Sequence, residues 1–297
     1  MKRIVWVDMA GGLGNQIFLF KAANFIASIN KNVIFVNMSG IDKSHSDGKS
    51  SIGDFVFPKA VRFFQITAIL NFIYLRTRNF LRRFNDYNQS LIFVLDEKYS
   101  SCTREELYKL VLGKNPLLMI VTGFWQSFEY WDQDFRFELK SEGKKFLELS
   151  NEIMGEHPIV FHYRLGRTNH GWEHGWGALS PAFLSNSLLA LDEAAAKLKN
   201  VWIFSNDLSE AKKLTEPFIS KSHQFFYIDD SALSPAELLL LLSLSQTLIC
   251  SNSTFSILAA KIGNVPNVFV PSKLSKNGHK GFELPDQWIK INSTWLD

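Results

Sequence analysis

Apolar positions along this chain follow two periods. Short unbroken apolar runs at residues 4–7, 33–36, 117–121, 159–163, 201–204, 224–228, 247–250 and 268–270 read as strands covered on both faces. Between them lie longer segments with helical spacing, at 16–29, 61–84, 181–198, 209–218, 235–244 and 255–262. Strands and helices alternating at these lengths predict parallel sheets with helices on both faces. Residues 39–53, rich in Ser, Asp, Lys and Gly, read as a long loop. A second polar segment, 140–158, divides the pattern into two series, so the predicted units are 1–153 and 154–297, each Rossmann-like with its own core.

Composition narrows this picture only a little. At 297 residues and 46% hydrophobic content the chain is long enough and apolar enough for two globular units. A net charge of +3 and a pI near 8.7 are mildly basic, well short of a nucleic-acid binder, so no nucleic-acid partner is expected. The opening apolar run stops at Asp8 without a full signal-peptide h-region, and the stretch 238–250 is broken by Ser243, Ser245 and Gln246, too short for a bilayer span. A cytoplasmic protein is expected. Its two cysteines, Cys102 and Cys250, are far apart and outside any metal-binding spacing, which excludes a disulfide framework or a zinc site. Four Asn-x-Ser/Thr sequons, at Asn37, Asn88, Asn252 and Asn292, are read as chance occurrences.

Five places carry candidate chemistry. The first predicted strand runs into Ala10-Gly11-Gly12-Leu13-Gly14-Asn15-Gln16 and then a helix, a turn that brings backbone N–H groups close to a bound anion. Ile17 stands where a dinucleotide fingerprint needs its third glycine, and the next strand ends in Asn37 rather than an acid, so this is a phosphate or sugar loop of another kind. His162 and Arg164 end a strand, where open α/β sheets place their ligands, and both point to the side opposite Tyr163. An arginine there offers forked donors to a diphosphate. Ser251-Asn252-Ser253-Thr254-Phe255 joins a buried strand to a helix, so Ser253 or Thr254 can cap the helix while its free N–H groups meet phosphate. Ser205-Asn206-Asp207 ends another strand, and Asp207 can either accept from a guanine or ribose or cap the following helix, with Asp229 and Asp230 as weaker counterparts. In the first unit, Gln126 sits beside Phe124 and Trp125, an amide next to aromatic faces that suits a sugar ring, while Trp125 equally fits the core.

Read together, Gly11 to Phe18, Thr122-Gly123-Phe124-Trp125-Gln126-Ser127, His162-Tyr163-Arg164-Leu165-Gly166 and Ser251 to Ser256 occur in an order that resembles the α-1,2-fucosyltransferases of glycosyltransferase family 11, in its bacterial-type form. The resemblance implies a GT-B-like α/β fold, two Rossmann-like domains facing each other across a cleft. It also implies inverting transfer of L-fucose from GDP-fucose to a galactose hydroxyl, O2 by analogy, of a glycan acceptor that bacteria hold on lipid. On this reading Arg164 and His162 are the catalytic pair, with Arg164 on the diphosphate and His162 shaping the site. Gly12, Gly14, Asn15, Asp207, Ser253, Thr254 and Phe255 bind the donor, and Gln126 and Trp125 lie on the acceptor side. The family usually carries an Asp shortly after the arginine; here Gly166 is followed by Arg167, which can supply a second cation. The alternatives are a transferase using another GDP-sugar and a GDP-sugar-binding protein without transferase activity.

No cofactor and no metal are expected, since Asp132-Gln133-Asp134 follows Tyr130-Trp131 in a predicted surface helix rather than ending a strand. The segment with His170, Trp172, His174 and Trp176 contains Gly171, Gly175 and Gly177 and reads as an acceptor-contacting or structural loop. Asp8, Asp54 and Glu129 are candidate general bases. Finally, Arg62, Arg76, Arg78, Arg82 and Arg83 alternate with Phe63, Phe64, Phe72, Tyr74, Phe80 and Phe84. Such a segment either packs its aromatics inside the first unit or rests on a membrane surface, peripheral on its inner face.

Overall fold

The computed structural model describes residues 3–29, 32–39, 41, 52–84, 91–131, 137–165, 177–192, 199–218, 223–277 and 283–296. The chain divides into two compact units, Met1–Lys140 and Ser141–Asp297. The division falls inside the predicted polar segment but ahead of residue 153. The helix at Lys144–Glu156 belongs to the second unit, because Phe146, Leu149 and Ile153 bury its apolar face there.

In the first unit β1 (Ile4–Asp8), β2 (Val33–Asn37), β3 (Val61–Phe64), β4 (Ile92–Leu95) and β5 (Leu118–Val121) form a parallel sheet in the order β3-β2-β1-β5-β4. Asp8 pairs in register with Asn37, and Val7 with Val121, so these strands end level with one another. Val5 and Val7 face the fully buried side, which α1 (Leu13–Ile29) covers. That helix is buried on nearly all sides, down to Lys21, whose ammonium lies 4.9 Å from the Trp131 ring centroid and 5.5 Å from that of Phe137. Cation–π attraction offsets part of the cost of burying that charge. Helix α3 (Arg104–Lys114) packs against α1 and opens with a full capping box between Thr103 and Glu106.

Residues 61–84, predicted as one helix, are instead the edge strand β3 followed by α2 (Ala68–Leu81) and a 3₁₀ turn at Arg82–Phe84. Val61 to Phe64 combine β-branched and aromatic side chains that fit a pleated edge, and they pair in parallel with β2. Thr67 then caps the helix. Helix α2 does not lie along the strands. Tyr74 and Arg78 bond to Asp8 at the end of β1, Arg78 also to Thr122 just after β5, and Arg82 to Asp96 just after β4. It therefore crosses the carboxyl ends of the sheet from the β3 side towards β4.

In the second unit α4 (Lys144–Glu156) leads into β6 (Ile159–Tyr163), α5 (Pro181–Asp192), β7 (Lys199–Ser205), α6 (Leu208–Thr215), β8 (His223–Tyr227), α7 (Pro235–Ser243), β9 (Thr247–Cys250), α8 (Thr254–Gly263), β10 (Asn267–Pro271) and β11 (Ile289–Ile291). The sheet is parallel in the order β11-β10-β9-β6-β7-β8, the doubly wound arrangement in which the first strand has the second and third on one side and the later ones on the other. Phe161, Tyr163, Leu179, Phe183, Leu184 and Ile203 fill one core. Helices α7 and α8 pack so closely that a Cβ on Gly263 would stand 1.9 Å from the Ser243 carbonyl oxygen, which only glycine avoids.

Candidate functional site

In the second unit the direction of winding reverses between β6 and β9, and the carboxyl ends of those strands carry the residues singled out from the sequence. His162 is in register with Phe204 on one side and Cys250 on the other. Strand alternation turns Tyr163 the other way, into the core, where its hydroxyl donates to the Leu179 carbonyl at 2.8 Å. His162 is itself buried. Its Nδ1 meets the Ser251 hydroxyl at 3.4 Å, and its ring lies 5.3 Å from that of Phe255. Burial, reinforced by the positive charge of Arg164, holds the imidazole down at a pKa of about 3, so it is neutral at physiological pH. Arg164 follows, half-buried. The next residue is clamped: Leu165 N–H donates to Asn206 Oδ1 at 2.9 Å, and Asn206 Nδ2 returns a bond to the Leu165 carbonyl at 2.7 Å. Asn206 thus fixes the backbone on which Arg164 stands, a role missed by a reading that looked for an acid in Ser205-Asn206-Asp207.

Around this arginine the chain presents hydroxyls and amide groups. Ser253 is the N-cap of α8, its side chain accepting from Phe255 N–H at 3.3 Å, and Thr254 and Phe255 open the helix half-buried. The remaining first-turn N–H groups and the helix dipole make this end receptive to an anion. Asn252 is buried and donates to the Gly177 carbonyl at 2.9 Å, which leaves no room for a glycan at its sequon. Asp207 takes the capping alternative: Oδ1 accepts from Glu210 N–H at 3.0 Å, at the start of α6, while the residue stays exposed. At the end of β8, Asp229 accepts from Ser231 N–H, and burial with the nearby Asp229 charge pushes Asp230 up to about 6.

The first unit has a corresponding edge beside β1 and β5. Gly11 adopts a φ of 71°, and an added Cβ would stand 2.9 Å from Asn15 Nδ2 and 3.1 Å from Phe124, so the glycine is required both for the turn and for the approach of those two side chains. Gly12 has open space where a side chain would go, and Gly14 is buried in the first turn of α1. Gln126 Nε2 donates to Asn15 Oδ1 at 2.8 Å, and Gln16 Nε2 to the Gly11 carbonyl at 2.8 Å. The glycine loop and the Gly123–Ser127 segment are therefore brought together. Of the two readings open for Trp125, the structure has core packing: it is fully buried and its indole N–H donates to the Thr122 carbonyl at 2.9 Å. Phe124, 45% exposed, is the aromatic that faces solvent beside the amides.

Behind this loop lies a polar cluster that sequence reasoning missed. The buried Asp8 carboxylate accepts from Trp6 Nε1 at 2.8 Å, Asn37 Nδ2 at 3.1 Å, Tyr74 Oη at 2.7 Å and Arg78 Nη1 at 2.8 Å. Tyr74 is held above its usual pKa by burial and then by the Asp8 charge, so it remains a donor. No local sequence signal joins Asp8 to a helix some seventy residues away. Arg167, the His170 to Trp176 loop and Asp132 to Asp134 lie outside the described residues. Among the described residues no group of three or more His, Cys, Asp or Glu side chains is placed to hold a metal ion.

No protein-family model matches the chain and no curated protein matches it in sequence. Among solved structures, the fucosyltransferase NodZ from Bradyrhizobium is 13% identical over 90% of this chain and 94% of its own, with a TM-score of 0.54. NodZ α-1,6-fucosyltransferase co-crystallised with GDP matches at 12% identity over the same shares, 90% and 94%, with a TM-score of 0.51. Heptosyltransferase II of E. coli, an ADP-heptose enzyme, is 11% identical over 97% of this chain and 90% of its own at a TM-score of 0.47. The chain has a GT-B-like α/β fold, and its structural neighbours are GT-B glycosyltransferases.

Proposed function

We propose that this chain is an inverting glycosyltransferase that moves L-fucose from GDP-fucose to a galactose hydroxyl of a glycan acceptor, in α-1,2 linkage. The observation that carries the reading is the placing of Arg164. It stands at the carboxyl end of β6, on a backbone clamped by Asn206, beside the N-terminus of α8 and a histidine kept neutral. Such an edge suits a diphosphate: the guanidinium forks onto its oxygens, and the helix N–H groups add partial positive charge. As the glycosidic bond breaks, negative charge grows on the departing diphosphate, and a fixed cation there stabilises the transition state more than the ground state. His162, buried and without basic character at neutral pH, acts by positioning rather than by proton transfer. That NodZ fucosyltransferase shares the fold and was crystallised with GDP favours a guanine nucleotide, and the resemblance of four sequence segments to family 11 favours the α-1,2 linkage.

Asp8 is set aside as the base. A general base needs a free lone pair directed at the acceptor hydroxyl, and this carboxylate already accepts four hydrogen bonds, one of them from an arginine. Glu129, exposed and close in sequence to Gln126, becomes the first candidate. Gln126 and the exposed Phe124 would receive the acceptor sugar, the amide on its hydroxyls and the ring on its apolar face.

The test is incubation with GDP-fucose or GDP-mannose, with and without a galactoside. Release of GDP from GDP-fucose that depends on acceptor, with a product fucosylated at O2 by NMR, is expected. Turnover of GDP-mannose instead would assign another GDP-sugar, and nucleotide binding without release would leave a binding protein.

A further inference from the structure

Helix α2 turns its ion-paired polar residues inward and most of its bulky apolar residues outward. Arg78 pairs with Asp8, Arg82 pairs with Asp96, and Tyr74 donates to Asp8. Arg78 is thereby largely withdrawn from the basic surface that the sequence pattern suggested, while Arg82 keeps its ion pair at a side chain still 44% exposed. The opposite face runs Ile69, Ile73, Arg76, Phe80 at i, i+4, i+7 and i+11, flanked by Leu70 and Phe72. Ile69, Leu70, Phe72, Ile73 and Phe80 are exposed by 75%, 56%, 58%, 54% and 56%. The Arg76 guanidinium lies over the Phe72 ring at 4.6 Å, and Arg83 follows, exposed, in the 3₁₀ turn. The sequence from Ala68 to Phe84 contains no acidic residue.

We propose that this face docks the protein onto an anionic lipid bilayer. Five bulky apolar side chains held out in water by an ion-paired inner face are a standing cost unless something covers them. A bilayer interface fits what is there. Apolar side chains enter the acyl boundary, the Arg76 and Arg83 heads stay among the phosphates, and a helix of 14 residues, roughly 21 Å long, lies in the plane. No helix among the described residues is long and apolar enough to cross a membrane, so the mode is docking rather than spanning. A second copy of the chain fits less well. A two-fold contact would bring the arginines of one patch towards those of the other with no carboxylate in the patch to receive them.

Binding to vesicles of phosphatidylcholine mixed with phosphatidylglycerol, followed by co-sedimentation, tests this directly. The full chain is expected to bind them at low salt, to bind pure phosphatidylcholine much less, and to lose affinity as salt rises. Arg76→Gln with Arg83→Gln should weaken binding by about fivefold per residue, and Ile73→Glu with Phe80→Glu should abolish it. These positions are exposed, so thermal melting should show the variants still folded. Absence of binding by the wild type at low salt, or binding unchanged in the folded Glu variant, would overturn the proposal. So would a concentration-dependent dimer split by Ile73→Glu in a protein that ignores vesicles, which would give the face to a second copy. Equal retention on soluble polyglutamate and on vesicles would give it to an acidic protein.

Discussion

The two units place an arginine at the same point of a parallel sheet, beyond the carboxyl ends of the strands flanking the reversal of winding, and use it in opposite ways. In the first unit Arg78 reaches Asp8 and Thr122, its charge matched by a buried carboxylate, and α2 is thereby fastened across the edge where ligands usually enter. In the second unit Arg164 ends β6 beside the buried His162 imidazole, on a backbone held by the Asn206 amide, with the Ser253-capped N-terminus of α8 on the neighbouring strand end. The same residue type in the same topological place is a structural tie in the first unit and, beside a capped helix N-terminus in the second, the anion receptor of the proposed function.

Breaking the tie should have the largest effect. Asp8→Ala leaves Arg78 largely buried without its counter-charge, which costs about 3–5 kcal/mol, and calorimetry should show the thermal midpoint falling by roughly 10 °C. A shift of only a degree or two would mean that the cluster contributes little and that the contrast between the units is overdrawn.

Removing Arg164 should act on rate instead. Arg164→Ala is expected to lose about 100-fold or more of transfer activity while melting as the wild type does. Retention of more than half the turnover would take the arginine out of the proposed role. Asn206→Ala should be milder, since the two lost hydrogen bonds only position the Arg164 backbone; a drop of about tenfold in kcat/KM corresponds to about 1.4 kcal/mol. Restoration by Asn206→Asp is not expected, because a carboxylate cannot donate to the Leu165 carbonyl.

The neutral histidine gives a pH signature. Its folded pKa of about 3 lies below the ordinary 6.5, so between those values the unfolded chain binds the proton and the folded one does not. Stability is therefore present in full above pH 6.5 and declines as pH falls towards 3. Asp230, raised to about 6, works the other way between its ordinary value near 4 and 6, and blunts the decline. Comparing thermal midpoints at pH 7 and pH 5 should show a loss that is smaller in His162→Gln than in the wild type. An equal loss in both would place the titration elsewhere. The smallest expected effect is that of excess EDTA on transfer, namely none; loss of activity restored by Mg or Mn would establish a metal requirement.

Much of the second unit was legible in the sequence. Strands at 159–163 and 247–250 appear as predicted, because unbroken apolar runs between polar breaks have one economical solution in a doubly wound sheet. Strand-end side-chain direction was legible for the same reason: alternation alone turns His162 and Tyr163 to opposite faces. The first unit was less so. Val61 to Phe64 joined a helical-looking run because its apolar spacing suits either period, and only pairing with β2 makes it a strand. The strand at Ile92–Leu95 and the helices at Arg104–Lys114 and Lys144–Glu156 carried signals too short or too polar to be read ahead of the structure.

By itself the sequence determined the local devices: the glycine at the Gly11 turn, the cap at Ser253, the periods of strand and helix, and the arginine at a strand end. These depend on residues within a few positions of one another, where dihedral limits and nearby hydrogen bonds decide the outcome. Tertiary structure decided which charges find partners. Whether Arg78 or Arg76 meets a carboxylate, whether Trp125 or Phe124 meets water, and whether an asparagine such as Asn206 grips a distant backbone are settled by strand order and by the path of α2 across the sheet. Electrostatic pairing and burial depend on distances between segments far apart in the chain, and those distances exist only once the sheet has formed.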